Sequence, residues 1–112
     1  LVRVKGIAHI TGGGLPGNAQ RMFGKKPFGI LFDKLPTPPP AMLQLQKLGN
    51  VSDREAYETW NMGIGMVLIT KNTERALPLL KKVGFKASVI GKVTKNPGVV
   101  LKTHEKKILA FS

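Results

Sequence analysis

The sequence predicts an α+β or α/β sandwich built on one mixed sheet. Three observations carry that expectation. Strand-like and helix-like stretches alternate along the chain, the helices are bounded by recognisable caps and stops, and 42% hydrophobic residues over a length of 112 suffice to close one modest core. A second independent domain is not expected, and neither internal repeats nor low-complexity segments interrupt the pattern.

The elements follow in order. Val2, Val4, Gly6, Ala8 and Ile10 alternate with Arg3, Lys5, Ile7 and His9, a period of two with one face mostly apolar, so residues 2–10 read as a strand. It runs into Thr11-Gly12-Gly13-Gly14, after which Asn18–Phe23 is expected to form a short helix. Phe28–Phe32 reads as a buried strand ending at Asp33. The segment LPTPPP is a stiff extended connector, and its last prolines suit the first turn of a helix. Met42, Leu45 and Leu48 keep helical spacing from there until Gly49, the expected stop. Ser52-Asp53-Arg54-Glu55 is a capping box, with Val51 and Ala56 placed as a hydrophobic staple, and the helix it starts should end near Trp60. The apolar run Met62–Ile69 is expected to be a strand covered on both faces. Thr73–Val83 reads as a further helix with Ala76, Leu80 and Val83 on one side, Pro78 as a kink or a late start, and Gly84 at its end. Lys86–Val93 and Val99–Lys102 are expected to close the sheet around the turn Lys95-Asn96-Pro97-Gly98.

Composition narrows the function. The chain contains no cysteine, so disulfides, thiolate metal ligands and a thiol nucleophile are excluded, and a reducing compartment, the cytoplasm, is expected. No stretch approaches the roughly 20 apolar residues of a membrane span. The opening LVRVKGIAHI lacks the layout of a signal peptide, and a start in strand-like sequence without methionine suggests a piece of a longer protein. A net charge of +12 invites a nucleic-acid reading, but the fourteen lysines and four arginines are scattered and no aromatic ladder accompanies them. A solvated lysine-rich surface is the expectation, with an anionic small ligand next.

Three consecutive glycines after a strand need a reason, because glycine loses more conformational entropy on folding than any other residue. Gly12–Gly17 formally fits the dinucleotide pattern G-x-G-x-x-G, with Asp33 at a suitable distance. Only Asn18–Phe23 is available as crossover helix before Gly24, too short to carry the chain back across a parallel sheet, so a nicotinamide or flavin site is not expected. A weaker function survives: a glycine turn exposes backbone N–H groups suited to an anion, with Thr11 and Asn18 able to add side-chain hydrogen bonds. His9 precedes that turn by two residues and is at most a weak catalytic candidate, and His104 reads as a surface residue without metal-ligand spacing, so no metal site is expected. In NMGIGM, Gly63 and Gly65 would share one face of a strand and leave bare backbone, with Asn61 at its mouth. Neither a P-loop nor a G-x-S-x-G elbow is present, and Asn50-Val51-Ser52 is better explained by the helix cap than by glycosylation.

Taken together, KGIAHITGGG at 5–14, the prolines at 36–39, LGNVSDREAYETWNMGIGMVL at 48–68 and VIGKV at 89–93 resemble the C-terminal domain of the phosphoribosylformylglycinamidine cyclo-ligase family, also called aminoimidazole ribonucleotide synthetases. The resemblance covers most of the chain in the right order. It implies an α+β layered sandwich with one mixed, largely antiparallel sheet covered by helices, and makes residues 1–112 a single substrate-side domain of a two-domain enzyme. Such enzymes close the imidazole ring of formylglycinamidine ribonucleotide in de novo purine biosynthesis. The formyl oxygen is phosphorylated, a nitrogen attacks and phosphate leaves. The resemblance further implies that ATP and Mg2+ are held mainly by an N-terminal domain, which also builds the homodimer, and that this domain alone binds neither and is inactive. It assigns Thr11, Gly12, Gly13, Gly14 and Asn18 to the substrate's 5′-phosphate, and it turns His9 and Asn61 toward the cleft, with Gly63 and Gly65 lining it. Partners are then the ribonucleotide and the N-terminal domain, with neither nucleic acid nor membrane. Two departures stand out: Trp60 replaces the family's usual phenylalanine, and Ala19-Gln20-Arg21 replaces its usual isoleucine-proline-arginine. Other ATP-using enzymes of the same plan, such as formylglycinamidine synthase, selenophosphate synthetase and thiamin phosphate kinase, are the alternative, and a basic nucleic-acid-binding module is the alternative from another class.

Overall fold

The computed structural model describes residues 2–111. It is an α+β structure with four helices and a mixed, largely antiparallel pattern of pairing, but the strands form two sheets where one was expected. β1 (Gly6–His9) pairs antiparallel with β3 (Met66–Ile69) in a two-stranded ribbon, in the register Gly6↔Ile69 to His9↔Met66. The second sheet has the order β4-β2-β5-β6, with β2 (Gly29–Phe32) parallel to β5 (Gly98–Lys102) and antiparallel to β4 (Lys92–Thr94), and β6 (Ile108–Phe111) antiparallel to β5.

α1 (Gly14–Gln20) joins the two sheets, packing on β1, β2, β5 and α3 (Asp53–Thr59). Its sequence GLPGNAQ has poor helix propensity, so packing must hold it. Leu15 and Ala19 are fully buried, and Pro16 lies in the first turn, where its missing N–H removes a donor that would have no partner. The helix therefore starts four residues before the expected Asn18 and ends before Phe23. The core around it contains Ala8, Ile10, Ile30, Phe32, Ala56 and Tyr57, completed by Met62, Val67, Val99 and Leu101. Burial holds the Tyr57 phenol above the ordinary tyrosine range; nearby Asp53 pushes the same way, and the His104 backbone N–H, close but outside hydrogen-bond geometry, opposes them.

Local signals explain most boundaries. Pro40 occupies the first position of α2 (Pro40–Leu48), as its fixed φ allows. The left-handed residue that stops α2 is Asn50 (φ 53), not Gly49: Val51 N–H reaches Gln46 O at 2.9 Å, the closure of a Schellman motif. Only the serine half of the expected capping box forms: Glu55 N–H donates to Ser52 Oγ at 3.2 Å at the start of α3, and among the described residues the Glu55 carboxylate takes no return bond from Ser52 N–H. α4 (Thr73–Lys82) accommodates Pro78 and ends at Gly84, as expected, yet it buries no residue. The same is true of α2, whose Leu45 and Leu48 are exposed, so the fully buried helical residues come from α1 and α3.

Three expectations on strands are corrected. The run Met62–Ile69 is not one strand covered on both faces. Met62 and Gly63 take positive φ in a turn, Asn61 Oδ1 accepts from Gly63 N–H at 2.9 Å, and β3 itself leaves Met66 exposed. Residues 86–91 are irregular and exposed for the most part, and only Lys92–Thr94 pairs. β4 and β5 do not pair with each other across the 95–97 turn. They flank β2, because the turn folds over Gly29, where a Cβ would stand 1.9 Å from Asn96 O. Finally, β6 was not foreseen. It brings its turn over α3, which leaves the His104 side chain only 13% exposed with Nδ1 unpartnered, so His104 is not the surface residue its sequence context suggests.

Gly13 (φ 97) and Gly14 (φ 65) both sit in the left-handed region, and a Cβ on Gly14 would lie 1.8 Å from Tyr57 O. Gly12 has neither feature, with nothing within 4 Å of an added Cβ. Gly14→Ala is expected to cost about 3 kcal/mol or more through strain and overlap, while Gly12→Ala stays within about 1 kcal/mol of the parent. Urea unfolding of the two variants measures the difference directly.

Candidate functional site

The end of β1 delivers the chain into the glycine turn, and α1 leaves it directly. Gly14 N–H closes the turn on Thr11 O at 3.0 Å. Among the described residues the amides of Gly12 and Gly13 meet no acceptor, and both glycines are exposed. Two donors without an acceptor among the described residues thus lie at adjacent, exposed positions, an arrangement that suits an anion.

Asn18 builds the turn from beneath. Its side chain is buried, and Nδ2 donates to Gly14 O at 2.7 Å, Thr11 O at 3.1 Å and Gly12 O at 3.4 Å. Three carbonyls around one atom fix the orientation of the amide, since carbonyls only accept. Oδ1 then turns the other way and accepts from Thr11 Oγ1 at 3.4 Å and Arg21 Nη1 at 3.5 Å. The amide expected to reach a ligand is spent on holding the loop, so Asn18 acts on the site through the backbone it braces.

Two shallow grooves meet at Thr11. One, of about 280 Å³, lies between β1 and α1 and presents His9, Thr11, Asn18 and Arg21 beside Ile7 and Met22. The other, of about 350 Å³, is more apolar and is lined by Ile10, Thr11, Met42, Leu45, Trp60 and Asn61. The structure therefore brings His9, Thr11 and Asn18 together and sets Asn61 across Thr11 from them. Gly63 and Gly65 line neither groove. A Cβ on Gly63 would meet Pro39 Cδ at 2.8 Å, and Gly65 uses its carbonyl to accept from Ile10 N–H at 3.0 Å. They shape the turn that presents Asn61. Arg21 was missed as a lining residue. Its signal is the i, i+3 spacing from Asn18, legible once the helix is started at Gly14.

The family described as AIR synthase related protein, C-terminal domain, matches residues 1–104. The chain belongs to this family. Proteins named phosphoribosylformylglycinamidine cyclo-ligase are similar to it: that of Caldicellulosiruptor bescii is 46% identical over 105 residues, covering 90% of this chain and 30% of the relative. The cyclo-ligase of Oceanobacillus iheyensis is 43% identical over 101 residues (88% and 30%), and that of Thermodesulfovibrio yellowstonii is 40% identical over 96 residues (84% and 28%). The chain spans less than a third of the length of these relatives. For a member of the AIR synthase related C-terminal domain family, the glycine turn, the Asn18 brace and the Ser52 cap all fall within the matched residues. No helix of the structure is long and apolar enough to cross a membrane.

Asn18→Asp tests the brace. An ionised carboxylate cannot donate, so it would face the carbonyl oxygens of Thr11, Gly12 and Gly14 with no hydrogen bond to any of them. The variant is expected to lose about 2–4 kcal/mol of stability, read from the shift of its denaturant midpoint at neutral pH.

Proposed function

We propose that the chain is the substrate-side, C-terminal part of a phosphoribosylformylglycinamidine cyclo-ligase, acting in ATP-dependent ring closure of formylglycinamidine ribonucleotide to aminoimidazole ribonucleotide in purine biosynthesis. The observation that carries this reading is Gly12. Gly13 and Gly14 are required by backbone geometry, whereas Gly12 has an ordinary φ, open space where a Cβ would go and an amide without an acceptor among the described residues. The open space and the uncommitted amide leave room there for a ligand, and a phosphate oxygen seated on the Gly12 and Gly13 amides fits it. The names of the relatives support the choice of a ribonucleotide as the phosphate's bearer.

In this reading Thr11, Gly12, Gly13 and Gly14 hold the 5′-phosphate on a turn that Asn18 has already shaped. His9, exposed at the end of β1, and Asn61, across Thr11, face the reacting amidine. Their roles in this reading are to orient the ribonucleotide through hydrogen bonds. Among the described residues no group of three His, Asp or Glu converges to hold a metal. In this reading Mg-ATP and the homodimer contact belong to the remaining, N-terminal part of the enzyme. Function in the cytoplasm belongs to the same proposal. A sister enzyme of the same ATP-using plan is the second reading, supported by the breadth of the family description alone.

The test uses the full-length enzyme that carries these residues, given formylglycinamidine ribonucleotide and Mg-ATP. Equal formation of aminoimidazole ribonucleotide and ADP is expected, and a folded protein that forms neither overturns the substrate assignment. Gly12→Val should weaken ribonucleotide binding at least about 10-fold, because its side chain occupies the space of the phosphate and displaces charge-assisted hydrogen bonds, with fold stability nearly unchanged. Unaltered affinity in calorimetric titration would remove the phosphate from this loop.

A further inference from the structure

We infer that Arg21 makes this groove selective for a phosphorylated ligand, its guanidinium pairing with the phosphate dianion that rests on the glycine turn; the inference rests on the substrate-side reading above. Among the residues lining the groove, Arg21 carries the only permanent charge. It stands at the C-cap of α1, one turn after Asn18, and its side chain reaches back to Asn18 Oδ1 at 3.5 Å. The other end of the same amide contacts Gly12 O at 3.4 Å. One side-chain amide therefore separates the guanidinium from the backbone of the loop, and that amide cannot swing because it is buried and fixed by the turn's carbonyls.

The guanidinium is also uncommitted. The ion pairs of the described residues engage Arg54, His104 and Lys107, and Arg21 is in none of them. Its own segment offers no competitor. The chain has no Asp or Glu before Asp33, while Arg3, Lys5, Arg21, Lys25 and Lys26 all precede it. Of the five N–H donors of an arginine, one is turned toward Asn18, and the exposed remainder keeps a fork that matches two oxygens of a phosphate. Backbone amides select for an acceptor of any kind. A fixed cation beside them adds selection for charge, so the pair distinguishes a ribonucleotide from the nucleoside lacking its 5′-phosphate.

The test is a set of calorimetric titrations of the full-length enzyme with formylglycinamidine ribonucleotide, with its dephosphorylated nucleoside and with inorganic phosphate. Arg21→Ala is expected to weaken ribonucleotide binding about 10- to 100-fold and to leave nucleoside affinity within about twofold, with Arg21→Lys intermediate because it keeps the charge and loses the fork. Arg75→Ala in α4 removes the same charge elsewhere and is expected to change neither by more than about twofold. Equal losses for ribonucleotide and nucleoside overturn the inference, as does unaltered ribonucleotide affinity in Arg21→Ala when Gly12→Val has lost it. If the parent enzyme does not bind the ribonucleotide, the ring-closure reading falls, and inorganic phosphate decides about Arg21. Phosphate binding that Arg21→Ala abolishes keeps the assignment, while binding that ignores Arg21, or no binding at all, ends it.

Discussion

The constraint on which the structure depends is the contact of Gly14 with the Tyr57 carbonyl. An added Cβ would stand 1.8 Å from that oxygen, so α1 and α3 approach as closely as backbones permit. The approach places Leu15 and Ala19 in the middle of the core, between the ribbon and the four-stranded sheet. A larger residue at this position would lift α1 off α3 and open the packing of both sheets at once. The left-handed turn at Gly13 and Gly14 is what lets β1 pass into that helix through residues 10–13 alone.

The same economy shapes the candidate site. Three carbonyls of the loop converge on one buried amide nitrogen. The loop is therefore formed before any ligand arrives, so binding does not carry the entropy of ordering it. Polar and apolar grooves meet over this rigid saddle, a combination suited to a ligand with a charged end and a flatter, less polar body.

Where a local rule decided a boundary, the sequence was legible. Ser52, Pro40 and Gly84 all act as their residue types imply. The failures came where tertiary contact overrode local preference. Nothing in GLPGNAQ announces a helix, since two glycines and a proline argue against one and only burial of Leu15 and Ala19 supplies the stabilisation. The apolar run from Met62 looked like a buried strand because Met62 is buried, but it is buried from within a turn. Strand partners were beyond reach for the same reason: pairing β4 and β5 to β2, rather than to each other, depends on how the turn passes Gly29. For the site, Thr11, Asn18 and His9 could be gathered from their spacing around the glycines, while the inward direction of the Asn18 amide and the presence of Arg21 depended on where α1 begins.

The β1–β3 ribbon has a consequence for how the molecule meets its neighbours. Among the described residues it is two strands wide, so each strand leaves one row of backbone donors and acceptors without a ladder partner there, and one face carries exposed Ile7 and Met66. Such an edge is a template for adding a further strand from another chain. What opposes this between identical copies is their shared charge of +12, a repulsion that reaches about 10 Å at 0.1 M ionic strength and shrinks as salt is added. Colloidal behaviour in this chain is thus set by a balance between an open hydrogen-bonding edge and an ion atmosphere, and dilute buffers favour the separated state.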